Sequence, residues 1–244
     1  MPSNPPSAKN LNLYAQLVKE LLNRHEFQNI VTKHQANKYS KKFDAWSQLI
    51  WMLFCQLGGC HSIRDISNVL RSITGNINHL GVSTAPSKST IAYQNTHRSW
   101  KVFRDYYYVL RQRLGQQRGN WHGLANIGAK IKLLDSSTIT MSLSAFPWAH
   151  YTHEKGAVKL HTLLDLDMQV PDFIHITDGK HTDAKSAFEI PISKGEVIVA
   201  DRGYQDFELL RFWDSKKAFF VVRHRLDLQF DSRSEIELPD VGEE

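Results

Sequence analysis

Cysteine is scarce: two in 244 residues, Cys55 and Cys60, with only His61 beside them. A zinc site takes about four ligands at recognisable spacings, so structural zinc is disfavoured and two reduced cytosolic thiols are expected. No apolar run of bilayer-spanning length occurs; the most apolar stretch, 49–57, has about half the ~20 residues a spanning helix needs and reads as core. The start, Met1-Pro2-Ser3-Asn4-Pro5-Pro6, has neither a basic n-region nor an apolar h-region, so no secretory leader is expected. Acidic residues are rare in one half only. Residues 1–130 hold 5 Asp/Glu against 17 Lys/Arg, whereas residues 131–244 hold 20 against 13, within an overall charge of +5. That asymmetry suggests a nucleic-acid-binding part joined to a carboxylate-rich part.

The length suits one large or two small domains. After a start expected to be disordered (1–10), Tyr14, Leu17, Val18, Leu21 and Leu22 recur at helical spacing. Asp44 can cap a second helix over 45–57, ending at Gly58-Gly59. Ser62-Ile63-Arg64-Asp65 has the form of a capping box opening a helix to about residue 72, and a turn-rich loop follows at 74–82. Ser87-Lys88-Ser89-Thr90 then opens one or two helices to about residue 114. These carry Lys88, His97, Arg98, Lys101 and Arg104, interleaved with Tyr93, Trp100, Phe103 and the tyrosines 106–108. A short helix, a turn and a Ser/Lys-led helix start are what a helix-turn-helix reader needs, and Lys88, Ser89, Arg98 and Lys101 are the candidate DNA contacts. The aromatics fit core better than base-stacking surfaces.

Glycines at 115, 119, 123 and 128 mark a junction between a helical domain (11–125) and a second domain (130–226). Beyond it the period becomes that of strands, predicted over 131–134, 158–166, 172–177, 197–200 and 218–222. Residues 139–143 either continue the first strand or pair with it. Helical spacing occupies 183–190 and 207–217. The layout is α/β: hairpins first, then β-α-β. An acidic tail, 227–244, is expected to be irregular.

Two apolar runs end abruptly on a carboxylate: Ile131-Lys132-Leu133-Leu134-Asp135 and Val197-Ile198-Val199-Ala200-Asp201. Each reads as a buried strand delivering an aspartate to its C-terminal tip, where functional crevices of open sheets lie. If the two strands are neighbours, Asp135 and Asp201 can share one Mg²⁺ or Mn²⁺, since hard cations take oxygen ligands and keep several waters. Such ions activate water and stabilise the leaving oxygen in phosphodiester cleavage. Taken singly, a strand-end aspartate is more often a turn or cap residue.

Asp135-Ser136-Ser137, Gly156-Ala157-Val158-Lys159-Leu160-His161 with Asp165, and Asp201-Arg202-Gly203-Tyr204 together resemble the catalytic core of DDE transposases. More narrowly, they resemble the insertion-sequence enzymes with a YREK box (insertion-sequence family four). The resemblance covers about residues 130–225, and the helical first half resembles that family's DNA-binding region. It implies an RNase H-like core preceded by an all-α domain, with Asp135 and Asp201 as the first two metal-binding catalytic acids. It also implies Mg²⁺- or Mn²⁺-dependent cleavage at transposon ends, strand transfer into target DNA, a homodimer on DNA and a bacterial, nucleoid-associated location. Arg202 and Tyr204 would lie near DNA, with Lys159 and His161 as phosphate contacts or solvent-facing strand residues.

One departure stands out. The family draws its third carboxylate from a downstream helix with the pattern Tyr-x-x-Arg-x-x-x-Glu-x-x-x-x-x-x-Lys, which is absent from the 43 residues after Asp201. Glu208 is too close to Asp201 to serve. The chain therefore reads as a transposase truncated within its catalytic domain, inactive or nearly so, and with apolar surface left uncovered. The alternative is a non-catalytic DNA-binding protein that inhibits transposition. A stand-alone metal nuclease would need a third acid as well.

Overall fold

The computed structural model describes residues 8–38, 40, 42–58, 62–65, 67–68, 80–82, 85–117, 128–141 and 156–224, in two units that divide after Gln117. The expected tail, 227–244, the loop at 74–79 and most of the junction lie outside the described residues.

The first unit is helical: α1 (Ala8–Leu21), α2 (Arg24–Lys33), α3 (Ala45–Leu57), α4 (Lys88–His97) and α5 (Lys101–Gln117). The first helix begins inside the stretch expected to be disordered. Side-chain caps set three starts. Asn23 accepts from the amides of His25 and Glu26, Asp44 from Ser47, and Ser87 from Thr90. Ser62 likewise accepts from the Asp65 amide, the N-cap half of the expected capping box. The core is aromatic. Phe27, wholly buried, meets Trp46, Phe103 and Tyr106, while Tyr14 meets Phe54 edge-on. The Trp46 indole donates to the Leu80 carbonyl at 2.8 Å, which satisfies the one polar atom of a buried ring.

The second unit is built on a five-stranded sheet of order β3-β2-β1-β4-β5. Its strands are β1 (Ile131–Met141), β2 (Gly156–Asp165), β3 (Val170–Asp178), β4 (Val197–Ala200) and β5 (Phe219–Val222). The first three form an antiparallel meander; β4 and β5 run parallel to β1 and to each other. A short helix, α6 (Asp183–Ala187), leads to β4, and α7 (Phe207–Ser215) links β4 to β5. This is the layout of an RNase H-like α/β core, with a helical unit before it. The strand β1 is longer than the 131–134 segment: it runs on to Met141, paired with β2 throughout, so Asp135 sits within it rather than at its tip.

One sheet face is covered. Leu134, Leu163, Ile198 and Ala200 pack beneath Ala187, Tyr204, Leu209 and Trp213, all buried. The other face, among the described residues, leaves Ile139, Ile174, Ile176, Phe219 and Val221 exposed.

Candidate functional site

The site follows from strand register. In the parallel ladder of β1 and β4, Ile131 faces Val197 and Leu134 faces Ala200, a constant offset of 66 positions. Asp135 and Asp201 each follow the last paired residue, Leu134 and Ala200, so the two adjacent strands lead both acids to the same end of their shared ladder. Neighbouring strands lie about 4.8 Å apart. The buried aliphatics before each acid hold the strands in place; both aspartates are exposed. Sequence reasoning brought these two residues together, and the structure does so too.

Past β4 the chain makes a single 3₁₀ turn, Arg202–Tyr204, capped by Asp201. The Asp201 carboxylate accepts from the Gly203 amide at 2.9 Å, and the Asp135 carboxylate from the Ser136 amide at 2.7 Å. Tyr204, 1% exposed, plugs the turn into the core. Its hydroxyl is buried and has no hydrogen-bond partner among the described residues, with Ser136 nearby. Burial is the main force raising the phenol pKa well above its ordinary value, with the charge of Asp183 next and those of Asp135 and Asp201 smaller.

Asp183 is the residue that sequence reasoning missed. It occupies the first position of α6, after the uncapped Thr182. One carboxylate oxygen accepts from the Lys159 ammonium at 3.2 Å and lies 3.6 Å from His161 Nδ1. The other oxygen and Asp201 Oδ1 converge on Gly203: a β-carbon there would sit 3.4 Å and 3.1 Å from them. Asp183 therefore lies between β2 and the turn that carries Asp201, and a β-carbon at Gly203 would press on the Asp201 carboxylate. No local signal marks Asp183 in the sequence, because its partners lie 22 and 24 positions earlier.

The remaining expected contacts divide by exposure. Lys88 and Ser89, in the first turn of α4, are exposed, as are Lys101 and Arg202. Lys159 is half-buried and engaged by Asp183. His161 is wholly buried, bonded to the Thr177 hydroxyl at 3.0 Å, with burial lowering its pKa. It holds β2 to β3 from the interior and is not presented to a phosphate. Tyr204 is interior for the reason given above. Arg98, 7% exposed, points inward, donating to the carbonyls of Ala36, Phe43 and Asp44, the Ser40 hydroxyl and the Gln48 amide oxygen. Burial pushes its pKa down to about 10. These three side chains support the fold instead of facing a ligand.

The donor set suits a hard divalent ion. Asp135 and Asp201 each give one oxygen to a backbone amide, while no ion pair among the described residues engages either carboxylate. Two carboxylates leave several coordination positions to water, as Mg²⁺ prefers. Among the described residues no group of three metal-ligating side chains occurs.

Comparison with known proteins gives two family matches. The family described as a domain of unknown function, DUF4372, matches residues 9–83, and the family described as a transposase DDE domain matches residues 127–242. A relative in Geobacillus stearothermophilus, "Probable transposase for insertion sequence element IS5377", is 26% identical over 106 residues, 43% of this chain and 28% of the relative. "Putative transposase y4zB" of Sinorhizobium fredii (strain NBRC 101917 / NGR234) is 26% identical over 144 residues, 59% of this chain and 39% of the relative. The chain thus spans well under half the length of these relatives. A solved structure of piggyBac transposase in a synaptic complex with hairpin DNA aligns over 94% of this chain and 56% of its own, at 13% identity and a TM-score of 0.38, too loose to carry an argument. Residues 127–242, in the second unit of the fold, carry a transposase DDE domain.

Proposed function

We propose that the chain acts in DNA transposition of an insertion sequence, binding the element's terminal repeats through its basic helical unit. Its second unit would hold a divalent ion, Mg²⁺ or Mn²⁺, for cleavage and transfer of DNA strands, as a homodimer on paired ends. The observation that supports this reading is the β1–β4 register, in which Asp135 and Asp201 each follow the last paired residues, Leu134 and Ala200. The ion would supply Lewis-acid stabilisation of the scissile phosphate and a water of lowered pKa. The chain's own residues do the positioning. Asp135 and Asp201 hold the ion from neighbouring strands, the buried ring of Tyr204 fixes the turn, and Asp183 braces it from β2 through Lys159. Exposed Arg202 stands next to Asp201, where a cation can meet a phosphate.

A second reading has an observation of its own. With two acids and no third ligating side chain among the described residues, an ion is held weakly, so this chain alone binds DNA and cleaves it slowly or not at all. The test for both is nicking of supercoiled plasmid with Mn²⁺, run beside DNA binding, for the chain and its Asp201→Asn variant. Nicking lost in the variant establishes the enzyme. DNA bound without nicking establishes the binding protein. A chain that neither binds nor nicks DNA contradicts both.

A further inference from the structure

The elbow between α4 and α5 displays two large rings that the core does not use. Tyr93 is 58% exposed and Trp100 is 63% exposed, seven positions apart, one on α4 and one just before α5. Each ring has one partner against a face. The Tyr93 ring stacks on the His97 imidazole with centroids 3.9 Å apart and planes 17° apart. His97 is itself held, its Nδ1 donating to the Tyr93 carbonyl at 2.8 Å. The Arg104 guanidinium lies over the Trp100 ring, 5.2 Å from its centroid. A ring clamped on one face and more than half exposed offers its other face to solvent already oriented.

The elbow is also rigid and cationic. Between the two rings Arg98 is buried and tied to five acceptors on the chain from Ala36 to Gln48, which fixes the angle between the helices. No Asp or Glu occurs from residue 66 to residue 104, a stretch that includes exposed Lys88, Lys101 and Arg104. Asp105, next in sequence, pairs with Arg104 as well as with Lys33 and His34, so the charge the elbow offers is that of Lys88 and Lys101. Scattered exposed apolar residues are ordinary, but oriented rings on a segment that also carries exposed lysines have the two elements of single-strand binding: π-faces for bases and charge for phosphates.

We infer that this elbow is a base-stacking platform for unpaired nucleotides, Tyr93 and Trp100 each taking one base while Lys88 and Lys101 meet the backbone. The inference rests on the proposal that the first unit binds DNA and names where and in what form. A duplex keeps its bases stacked inside, so the platform serves frayed or single-stranded DNA better than continuous duplex.

The test is fluorescence anisotropy of the full chain with a labelled single-stranded oligonucleotide and with a closed-ended duplex of the same sequence. Stacking on an aromatic ring is worth about 1–3 kcal/mol per base, so Tyr93→Ala and Trp100→Ala should each weaken single-strand binding roughly 5- to 100-fold. Duplex binding should change far less, and Trp100→Phe should restore most of the loss. Both rings are exposed, so the alanine variants keep the parent's thermal stability. Lys88→Ala should weaken both DNA forms alike. Unchanged single-strand affinity in both alanine variants overturns the platform while leaving DNA binding intact. Equal losses on both DNA forms overturn it as well. A change in oligomeric state without a change in DNA affinity assigns the rings to a protein contact and also overturns it. Failure of the parent chain to bind either DNA form removes the platform together with the reading beneath it.

Discussion

Replacing Arg98 separates two roles that a basic residue in a basic unit could have. Its guanidinium donates five hydrogen bonds, three to backbone carbonyls (Ala36, Phe43, Asp44) and two to side chains (Ser40, Gln48). Arg98→Ala withdraws the donor from acceptors in a site that is 7% exposed, the Asp44 carbonyl keeping a second donor in the Gln48 amide. A buried polar group left unpaired costs ~1–3 kcal/mol, offset in part because water enters the vacated volume and the cation's own desolvation penalty disappears. The net loss should be about 3–5 kcal/mol, a large fraction of what a domain of this size has. Arg98→Lys should recover little of it, since one ammonium cannot span acceptors on both sides of a planar fork. The assay is urea unfolding followed by circular dichroism, with DNA binding of the folded variant measured across a salt series. A phosphate contact would lower the slope of log affinity against log salt by about 1; an interior brace leaves the slope unchanged. A variant of parental stability with a reduced salt slope would refute the structural role.

Three further outcomes follow from the same reasoning. Lys132 is 2% exposed and donates to Asp165 at 2.8 Å and Asp172 at 2.6 Å; Lys132→Ala removes the buried cation from two carboxylates and should cost ~3–5 kcal/mol in urea unfolding, whereas a cost under ~1 kcal/mol would show the charges to be solvated. Tyr204→Phe removes a buried hydroxyl that has no partner, so stability should stay the same or rise by up to ~1 kcal/mol, where loss of a partnered hydroxyl would lower it. Asp105 is held well below the usual carboxylate range, first by His34 and then by Arg104. A depressed carboxyl contributes stability above its unfolded pKa of ~3.9 and loses it as pH falls toward the folded value. The melting temperature of the first unit should therefore drop below about pH 4, and Asp105→Asn should flatten that drop while lowering stability at neutral pH.

Much of the second unit was legible because its strands announce themselves. Val197-Ile198-Val199-Ala200 is short, apolar and β-branched, and it stops on a charge; a buried parallel strand has few other ways to read. The two apolar runs that end on Asp135 and Asp201 are also the runs that pair in the ladder, from Ile131 with Val197 to Leu134 with Ala200. The extent of β1 was less clear, since Ser136 to Thr140 mixes polar and β-branched residues that suit a continued strand or a hairpin arm equally. Helix α2 passed unread although Asn23 ahead of Phe27 and Val31 is a cap before a periodic apolar pair.

Burial of polar residues was the larger gap. Arginine and histidine are usually exposed, and what draws Arg98 and His161 inward are partners 50 and more positions away for the first, and a facing strand for the second. Such partners exist only once the chain is folded. The aromatics of the α4–α5 region divide for the same reason. Tyr106 and, in part, Phe103 are core as expected, but Tyr93 and Trp100 fall outside the helix faces that meet Phe27. Asp183 had no pattern to betray it, because its importance lies in reaching Lys159 and Gly203 across the sheet.

The central claim is that Asp135 and Asp201 hold one ion between them. Calorimetric titration of Mn²⁺ into the parent chain, Asp135→Asn, Asp201→Asn and the double variant tests it without any need for catalysis. A shared ion predicts one site in the parent, a loss of about tenfold or more in each single variant, and little further loss in the double, because the two acids act on the same ligand. Binding that survives both single substitutions, or losses that simply add as for two independent sites, would contradict it.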